Sequence, residues 1–319
     1  MNNFNKKDLL EVSKLYYYDN LTQEQIARSF FTSRSTISRA LTEARKQGLI
    51  RVIIPEIGFD TSEVEETLKK IFSLKHVLVV PISQEDEEST LKITAKKTAQ
   101  FVSQFFKNGD TIGMAWGKTI FEIARNLPSL SLSESKVVQL LGNVDSANVK
   151  SYAFDIVQFA SIHLGTKQAY TVTGPIMTES TIIKDLLLHD TRINSILEMA
   201  RSCNKMFVNL ALASQDSCLF RSGYLSNSDL DTLEKANAVG SLCGHFLDSK
   251  GELCSPQLDQ RTIGVDLENI KDSEMVFACV ADPSKIKILH ASLIKNYINV
   301  LMIDSISATK LLSYHQQII

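Results

Sequence analysis

The sequence predicts a two-domain α/β protein, with a small helical head followed by a larger domain built on a mostly parallel β-sheet. Three observations support this prediction. Two short capped helices lie within residues 21–51, Pro and Gly interrupt the chain at residues 55–58, and short apolar runs then alternate with helical stretches. Such alternation is typical of a parallel sheet covered by helices on both faces. We place one domain at residues 1–57 and the other at residues 58–319.

The head is predicted to begin with a helix over residues 6–18. Its apolar residues are expected to pack on the next two helices: Leu9, Leu10, Val12, Leu15 and Tyr16. The second helix begins after Thr22, a favourable N-cap, and Gln25 completes a capping box. Phe30 and Phe31 occupy the following turn, where a small residue is usual. We expect Phe30 to enter the core and Phe31 either to pack or to protrude.

A third helix is predicted from its N-cap, Ser33, to about Gln47, and its buried face is formed by residues at i, i+4 and i+7: Ile37, Leu41 and Ala44. Gly48 is the predicted C-cap, and residues 49–54 are predicted to form a short strand that begins a wing. The other face carries basic and small hydroxyl residues, as a DNA-recognition helix requires. We predict DNA contacts from Thr22, Gln23, Ser33, Arg34, Ser35, Thr36, Ser38, Arg39 and Lys46. An amphipathic hairpin with a solvated polar face is the alternative.

The charge distribution supports a nucleic-acid partner for the head. The whole chain has a net charge of −2, but residues 1–51 hold nine Lys and Arg against five Asp and Glu, a net charge of +4. The remaining residues hold 25 basic and 31 acidic side chains, a net charge of −6. A basic head on an acidic body is expected when only the head binds DNA.

Cysteine usage and hydropathy indicate a cytoplasmic protein without a metal site. The five Cys form no CxxC pattern, which favours reduced thiols and argues against zinc. The N-terminal segment lacks the apolar core of a signal peptide, and no apolar run approaches the length of a membrane span.

The larger domain is predicted to open with a helix over residues 61–72. Strands are predicted at residues 77–80, 111–114, 137–141, 169–173, 206–212, 275–280 and 299–304. Helices are predicted at residues 89–106, 120–126, 152–163, 180–188, 229–236 and 286–295.

A ligand loop is predicted where the second of these strands ends. Ligands of open α/β sheets bind beyond the carboxyl ends of the strands. Residues 115–118 lead from that strand into a helix beginning near Thr119, so that backbone N–H groups, the Thr119 hydroxyl and the Lys118 ammonium form an anion cradle. Phosphate is the expected ligand of this loop. Later strand ends supply further rim candidates at Gly142, Asn143, residues 173–175, residues 282–285 and residues 304–305.

Two alternatives to this ligand loop stay open. Gly113, Gly117, Lys118 and Thr119 form GxxxGKT, one residue shorter than the GxxxxGKT of nucleotide-binding P-loops, and residues 300–304 resemble an hhhhD strand end. The glycines could also serve an ordinary turn. No Ser/His/Asp arrangement or carboxylate pair stands out, so we predict no catalytic residues, no cofactor and no enzyme activity.

Several blocks resemble, in order, the SorC family of transcriptional regulators: LTQEQIARSFFTSRSTISRALTEARKQGLIRV, GDTIGMAWGKT, VVQLLGN, FRSGYLS, NAVGSLCGHFLDSKGELC, RTIGVDL and INVLMIDSISATKLL. The stretch FLDSKGELCSPQLDQRTIGVDLENI is most similar to the branch that regulates deoxyribonucleoside operons. The resemblance implies a winged-helix-like head and a Rossmann-like effector domain of the glucosamine-phosphate isomerase/CoA-transferase type. It also implies homodimers or homotetramers on operator DNA, controlled by deoxyribose phosphate or a related phosphorylated sugar. A sugar-phosphate isomerase-like enzyme with an accessory DNA-binding head is the alternative, by analogy of fold.

The resemblance also assigns the effector-binding residues by position: Trp116, Gly117, Lys118, Thr119, Gly142, Asn143, Ser241 and Lys285. The positions that depart from the family pattern include Leu141, Ser241, Asp282 and Lys150, the last in place of a usual Asn. Leu141 stands where one branch has a lysine that forms a Schiff base with its ligand, so covalent capture there is excluded. Ser241 replaces an acidic residue, and Asp282 is expected to bring negative charge near the phosphate. These departures predict an effector that differs from deoxyribose phosphate, or a pocket that has weakened.

Overall fold

The computed structural model describes residues 4–17, 21–46, 49, 61–83, 86–144 and 151–318. The chain divides into two compact units, Met1–Ile57 and Gly58–Ile319. The predicted C-cap at Gly48, the predicted strand at residues 49–54 apart from Leu49, and the side chain of Arg45 lie outside the described residues.

The first unit contains helices α1 (Lys6–Tyr17), α2 (Gln23–Ser29) and α3 (Arg34–Lys46). Their shared core consists of Leu9, Val12, Ile26, Ala27, Ile37, Ala40, Leu41 and Ala44. The predicted capping box is confirmed, because the Gln25 N–H donates to Thr22 Oγ1 at 3.3 Å and the Thr22 N–H donates to Gln25 Oε1 at 2.8 Å. Ser33 caps α3, since its Oγ accepts the Thr36 N–H at 3.2 Å.

Among the described residues of this unit, two large apolar side chains face solvent. The prediction that Leu10 packs in the core is wrong, because the buried side of α1 is formed by Leu9 and Val12 and leaves Leu10 40% exposed. Phe30 packs against the core with its ring 5.9 Å from that of Phe4. Phe31 protrudes, with 95% of its surface exposed and a backbone φ of 50° in the left-handed region.

The strands of the second unit are, in chain order, β1 (His76–Val80), β2 (Thr111–Met114), β3 (Lys136–Gln139), β4 (Gln168–Tyr170), β5 (Lys205–Val208), β6 (Leu210–Ala211), β7 (Ala238–Leu242), β8 (His245–Asp248), β9 (Met275–Val280) and β10 (Val300–Asp304). The helices are α4 (Ser62–Ile71), α5 (Glu87–Val102), α6 (Lys118–Ala124), α7 (Ala153–Leu164), α8 (Thr181–Leu188), α9 (Thr191–Arg201), α10 (Cys218–Arg221), α11 (Asn227–Lys235), α12 (Pro256–Asp259), α13 (Leu267–Asp272), α14 (Ile286–Ile294) and α15 (Ser305–Ile318).

The predicted parallel sheet is confirmed. Within the described residues its strand order is β1-β10-β9-β5-β2-β3-β4, and every neighbouring pair is parallel. Phe207 of β5 and Phe277 of β9 stack with ring centroids 4.7 Å apart at the centre of the core. A smaller antiparallel sheet, β6-β7-β8, follows β5 in the chain.

Several element boundaries differ from the predictions. The strand predicted at residues 206–212 is divided, because the chain leaves the large sheet after Val208 and β6 pairs with β7. The strand predicted at residues 137–141 ends at Gln139, and Leu141 instead bridges Gly264. Helices α9 and α15 and the β7–β8 hairpin were not predicted. None of the helices in the described part of the chain is long and apolar enough to cross a membrane.

Candidate functional site

The strand order creates a topological switch point between β2 and β5. From β2 the chain continues to β3 and β4 on one side of the sheet, whereas β5 lies on the side of β9 and β10. Loops that leave neighbouring strands in opposite directions open a crevice at the carboxyl ends of those strands, where open α/β sheets bind ligands.

A cavity of about 290 Å³ occupies this crevice, and we call it the switch-point cavity. Its volume is close to the lower limit for small-molecule sites, which is roughly 300 Å³. Apolar side chains form much of its wall: Trp116, Ile120, Ile123, Phe207 and Phe277. Polar groups come from the loop after β2, from residues 209–217 and from Lys285. An apolar cleft with a few convergent polar groups is the usual form of a binding site.

The charges at the switch-point cavity favour an anionic ligand. Among the described lining residues, Lys118 and Lys285 contribute ammonium groups and Asp216 a carboxylate. Lys285 is close enough to Cys279 to oppose the effect of burial, which raises the pKa of that buried thiol to about 12. Hydroxyl groups of Thr119, Ser214 and Ser217 add neutral hydrogen-bonding capacity.

The loop after β2 is held in a fixed conformation. The indole Nε1–H of Trp116 donates to the Gly142 carbonyl at 2.9 Å, and only 4% of this residue is exposed. Gly117 has a φ of 128°, a conformation that favours glycine. Its N–H donates to the Ser151 carbonyl at 3.1 Å. The donors left for a ligand are therefore the first N–H groups of α6, which have no intrahelical partner, and the Lys118 and Thr119 side chains.

Five of the eight sequence-assigned effector residues line the switch-point cavity: Trp116, Gly117, Lys118, Thr119 and Lys285. Ser241 is 2% exposed and lines a smaller cavity of about 20 Å³, whose wall shares several residues with the first. Gly142 and Asn143 are outside both linings. A Cβ on Gly142 would lie 2.1 Å from the Pro175 carbonyl oxygen, and the Asn143 amide donates to the Val172 carbonyl at 2.6 Å.

Asp282 and Asp304, which lie near the ends of β9 and β10, each cap the turn or helix that follows. Asp282 Oδ1 accepts hydrogen bonds from the Ser284 N–H at 2.9 Å and from the Ser284 hydroxyl at 2.6 Å, and Asp282 does not line the cavity. Asp304 Oδ1 accepts the N–H groups of Ile306 and Ser307 at 2.9 and 2.8 Å. The carboxylate at the cavity is Asp216, which sequence reasoning missed.

Gly113 has a packing role. A Cβ there would lie 2.3 Å from Leu140 Cδ2, so glycine is needed for close approach of β2 and the segment after β3. The resemblance to a P-loop thus has a structural explanation at its first glycine.

The predicted DNA-contact residues are accessible on the first unit. Arg34, Ser35, Ser38, Arg39 and Lys46 are exposed along α3, while Thr36 is half-buried. Ser33 Oγ lies 2.8 Å from both Ser35 Oγ and Thr36 Oγ1. Thr22, Gln23 and Arg34 line an open groove that also includes Tyr16 and Tyr17. A basic helix face beside an aromatic-edged groove has the chemistry of a nucleic-acid surface.

Comparison with known proteins extends over both units. The "Putative sugar-binding domain" family matches residues 58–313. The deoxyribonucleoside regulator of Bacillus subtilis (strain 168) is 29% identical over 304 residues, which cover 95% of this chain and 96% of that protein. The sorbitol operon regulator of Klebsiella pneumoniae is 24% identical over 309 residues, covering 95% and 97%. The crystal structure of full-length SorC from Klebsiella pneumoniae aligns with a TM-score of 0.78 over 98% of this chain and 100% of that one, at 24% identity.

Proposed function

We propose, from the premise that this chain belongs to the sugar-binding domain family of SorC-type regulators, that it is a DNA-binding transcriptional regulator controlled by a phosphorylated sugar. The observation that carries the proposal is the switch-point cavity, which combines an apolar wall with Lys118 and Lys285. The wall suits the carbon skeleton of a sugar, and the ammonium groups suit a phosphate. Deoxyribose phosphate and related sugar phosphates are the proposed effectors.

The head is the proposed operator-binding domain. Arg34, Arg39 and Lys46 are exposed on α3, and we propose that they neutralise DNA phosphates. Ser35, Thr36 and Ser38 are small enough for close approach to bases. One such head buries little surface, so useful specificity requires two heads on two half-sites. We therefore propose a homodimer or homotetramer, acting in the cytoplasm on operator DNA.

We propose that effector binding changes the relative populations of two arrangements of the subunits. A ligand changes an equilibrium only by its difference in affinity for the two states. The related proteins named above are regulators, which favours this function over a sugar-phosphate enzyme. We accordingly propose no catalytic role.

The recognition face is tested with Arg39→Ala on operator DNA selected from a random-sequence pool. Loss of a base or phosphate contact is expected to weaken binding roughly tenfold and, for a phosphate contact, to lower the salt dependence by about one ion. Arg28→Ala is the matched control, because Arg28 lies on α2, is 81% exposed and pairs with Glu24 at 3.6 Å. Equal operator affinity of Arg39→Ala and the unaltered protein at the same salt concentration would show that α3 does not present the recognition face.

A further inference from the structure

Asn209 places a side-chain amide at the boundary of the two cavities. It follows β5 directly and contributes to the lining of both the switch-point cavity and the smaller cavity that contains Ser241. Its Oδ1 atom is buried and has no hydrogen-bond partner among the residues that the structure describes. A buried polar atom without a partner is costly to the fold. Of the seven such side-chain atoms among the described residues, only this one belongs to a residue that lines these cavities.

The backbone keeps this side chain at the cavity boundary. The Asn209 carbonyl accepts the Cys243 N–H at 3.1 Å. On its two sides, Val208 pairs with Ala278 in the large sheet and Leu210 pairs with Leu242 in the small one. Because both flanking residues belong to sheets, the backbone cannot carry Asn209 away from the cavities without breaking strand pairing.

The surroundings of the amide define what could pair with it. Phe207 and Phe277 close the switch-point cavity with aromatic surface that offers no hydrogen-bond partner. The smaller cavity, of about 20 Å³, has room for one water-sized polar group and is lined in part by Ser241. An amide that is ready to pair, beside space for a single oxygen atom, has the form of a subsite for one ligand hydroxyl.

We propose that Asn209 reads a hydroxyl group of the effector and makes the site selective for hydroxylated sugars over their deoxy analogues. A hydroxyl both donates and accepts, so it satisfies the amide whichever of its two ends faces the cavity. A deoxy analogue would leave the amide without its ligand partner, and sites built to hydrogen-bond a hydroxyl reject analogues that lack it. The inference rests on the proposed sugar-phosphate function and adds that the effector is hydroxylated at the position reaching Asn209.

The first test compares matched ligands through Trp116 fluorescence. The probes are ribose 5-phosphate with 2-deoxyribose 5-phosphate, and glucose 6-phosphate with its 2-, 3- and 4-deoxy analogues. For at least one pair, the unaltered protein is expected to prefer the hydroxylated member about tenfold or more. Asn209→Leu is expected to bring that ratio close to one while binding inorganic phosphate as before. A ratio that survives in Asn209→Leu, or equal binding within every pair by the unaltered protein, would overturn the proposal.

The second test needs no ligand and separates this inference from the proposed function. Asn209→Leu removes a polar atom that has no partner, so the free protein is expected to melt at the same or a higher temperature. Asn126→Leu is the control, because the Asn126 amide donates to the Glu122 carbonyl at 2.8 Å and its loss is expected to lower the melting temperature. A drop of similar size in Asn209→Leu would show that Asn209 serves the fold and would overturn the inference.

The effector class and the Asn209 subsite can therefore fail separately. If no sugar phosphate changes Trp116 fluorescence, the proposed effector class is wrong, and ribose with 2-deoxyribose becomes the pair that tests Asn209. If sugar phosphates bind but the deoxy analogues bind equally well, the function stands and the Asn209 assignment is wrong.

Discussion

Lys285 is the residue whose removal most cleanly tests the anion site. It lines the switch-point cavity, whereas Lys287, two residues later, is exposed and does not. Lys285→Met is expected to weaken binding of a sugar phosphate by roughly 10- to 100-fold, because a hydrogen bond to a charged group contributes about 1.5–3 kcal/mol. Trp116 fluorescence measures the affinity, and Lys287→Met should leave it unchanged. Equal affinity of both variants would remove Lys285 from the site.

Spacing along the chain predicted the part of the site whose residues are adjacent in sequence. Gly117, Lys118 and Thr119 lie within five residues of the end of β2, so their spacing alone indicated a ligand loop. Lys285 was assigned from the strand end that it follows and from the family resemblance. Asn209 and Asp216 escaped prediction because an apolar run of residues 206–212 has the pattern of one continuous strand. Their place depends on the chain leaving the large sheet at Val208, which is decided by pairing between β6 and β7.

At the scale of elements, a histidine pair joins α14 and α15. His290 is 3% exposed, and its Nε2 lies 3.0 Å from His315 Nδ1. Phe72, directly after α4, packs edge-on against both rings, and Tyr314 packs against His290. Burial, and secondarily the neighbouring His315, lowers the pKa of His290 below its ordinary value of 6.5. The folded protein therefore favours the neutral ring.

This pair predicts a loss of stability in acid. Above pH 6.5 His290 is neutral in both the folded and the unfolded chain, so it adds no pH dependence. As the pH falls below 6.5, the unfolded chain takes up a proton first, and stability decreases until the folded pKa is reached. Each unit of difference between the two pKa values is worth about 1.4 kcal/mol.

The prediction is checked by thermal melting between pH 7.5 and 5.5. His290→Gln is expected to show a shallower decrease in melting temperature with falling pH, although His76, whose pKa is also lowered by burial and by Lys69 and Lys75, keeps part of the dependence. His189→Gln is the matched control, since His189 is exposed on the surface. An unchanged slope in His290→Gln would contradict the assignment.

Elements with a strong local signal were predicted well, and those that depend on tertiary pairing were not. The strand at residues 111–114 and the capping box at Thr22 follow from adjacent residues, and both are confirmed. The β7–β8 hairpin contains Gly240, where a Cβ would lie 2.5 Å from the Ala211 carbonyl oxygen. Its need for glycine comes from the partner strand and is invisible in the local sequence. Helix α15 begins at Ser305 and is capped by Asp304, a residue that the sequence analysis treated only as a strand end.

At the scale of the whole molecule, the chain joins a basic head to an acidic body that contains the switch-point cavity. The net charges of +4 for residues 1–51 and −6 for the remainder confine phosphate attraction largely to the head. Operator affinity is therefore expected to fall steeply with salt, while sugar-phosphate affinity depends on the two cavity lysines. The family match and the parallel sheet support a ligand-binding role for the body, separate from operator binding by the head.

The central claim is that sugar phosphate and operator DNA are linked through one protein. The most direct measurement is operator affinity, with and without saturating concentrations of the sugar phosphate that changes Trp116 fluorescence, at fixed salt. The expected result is a change of about 5- to 150-fold, with an equal reciprocal change in sugar-phosphate affinity when operator is bound. Lys285→Met should move the change to a roughly 10- to 100-fold higher ligand concentration. Operator affinity that stays the same at saturating ligand would contradict the claim.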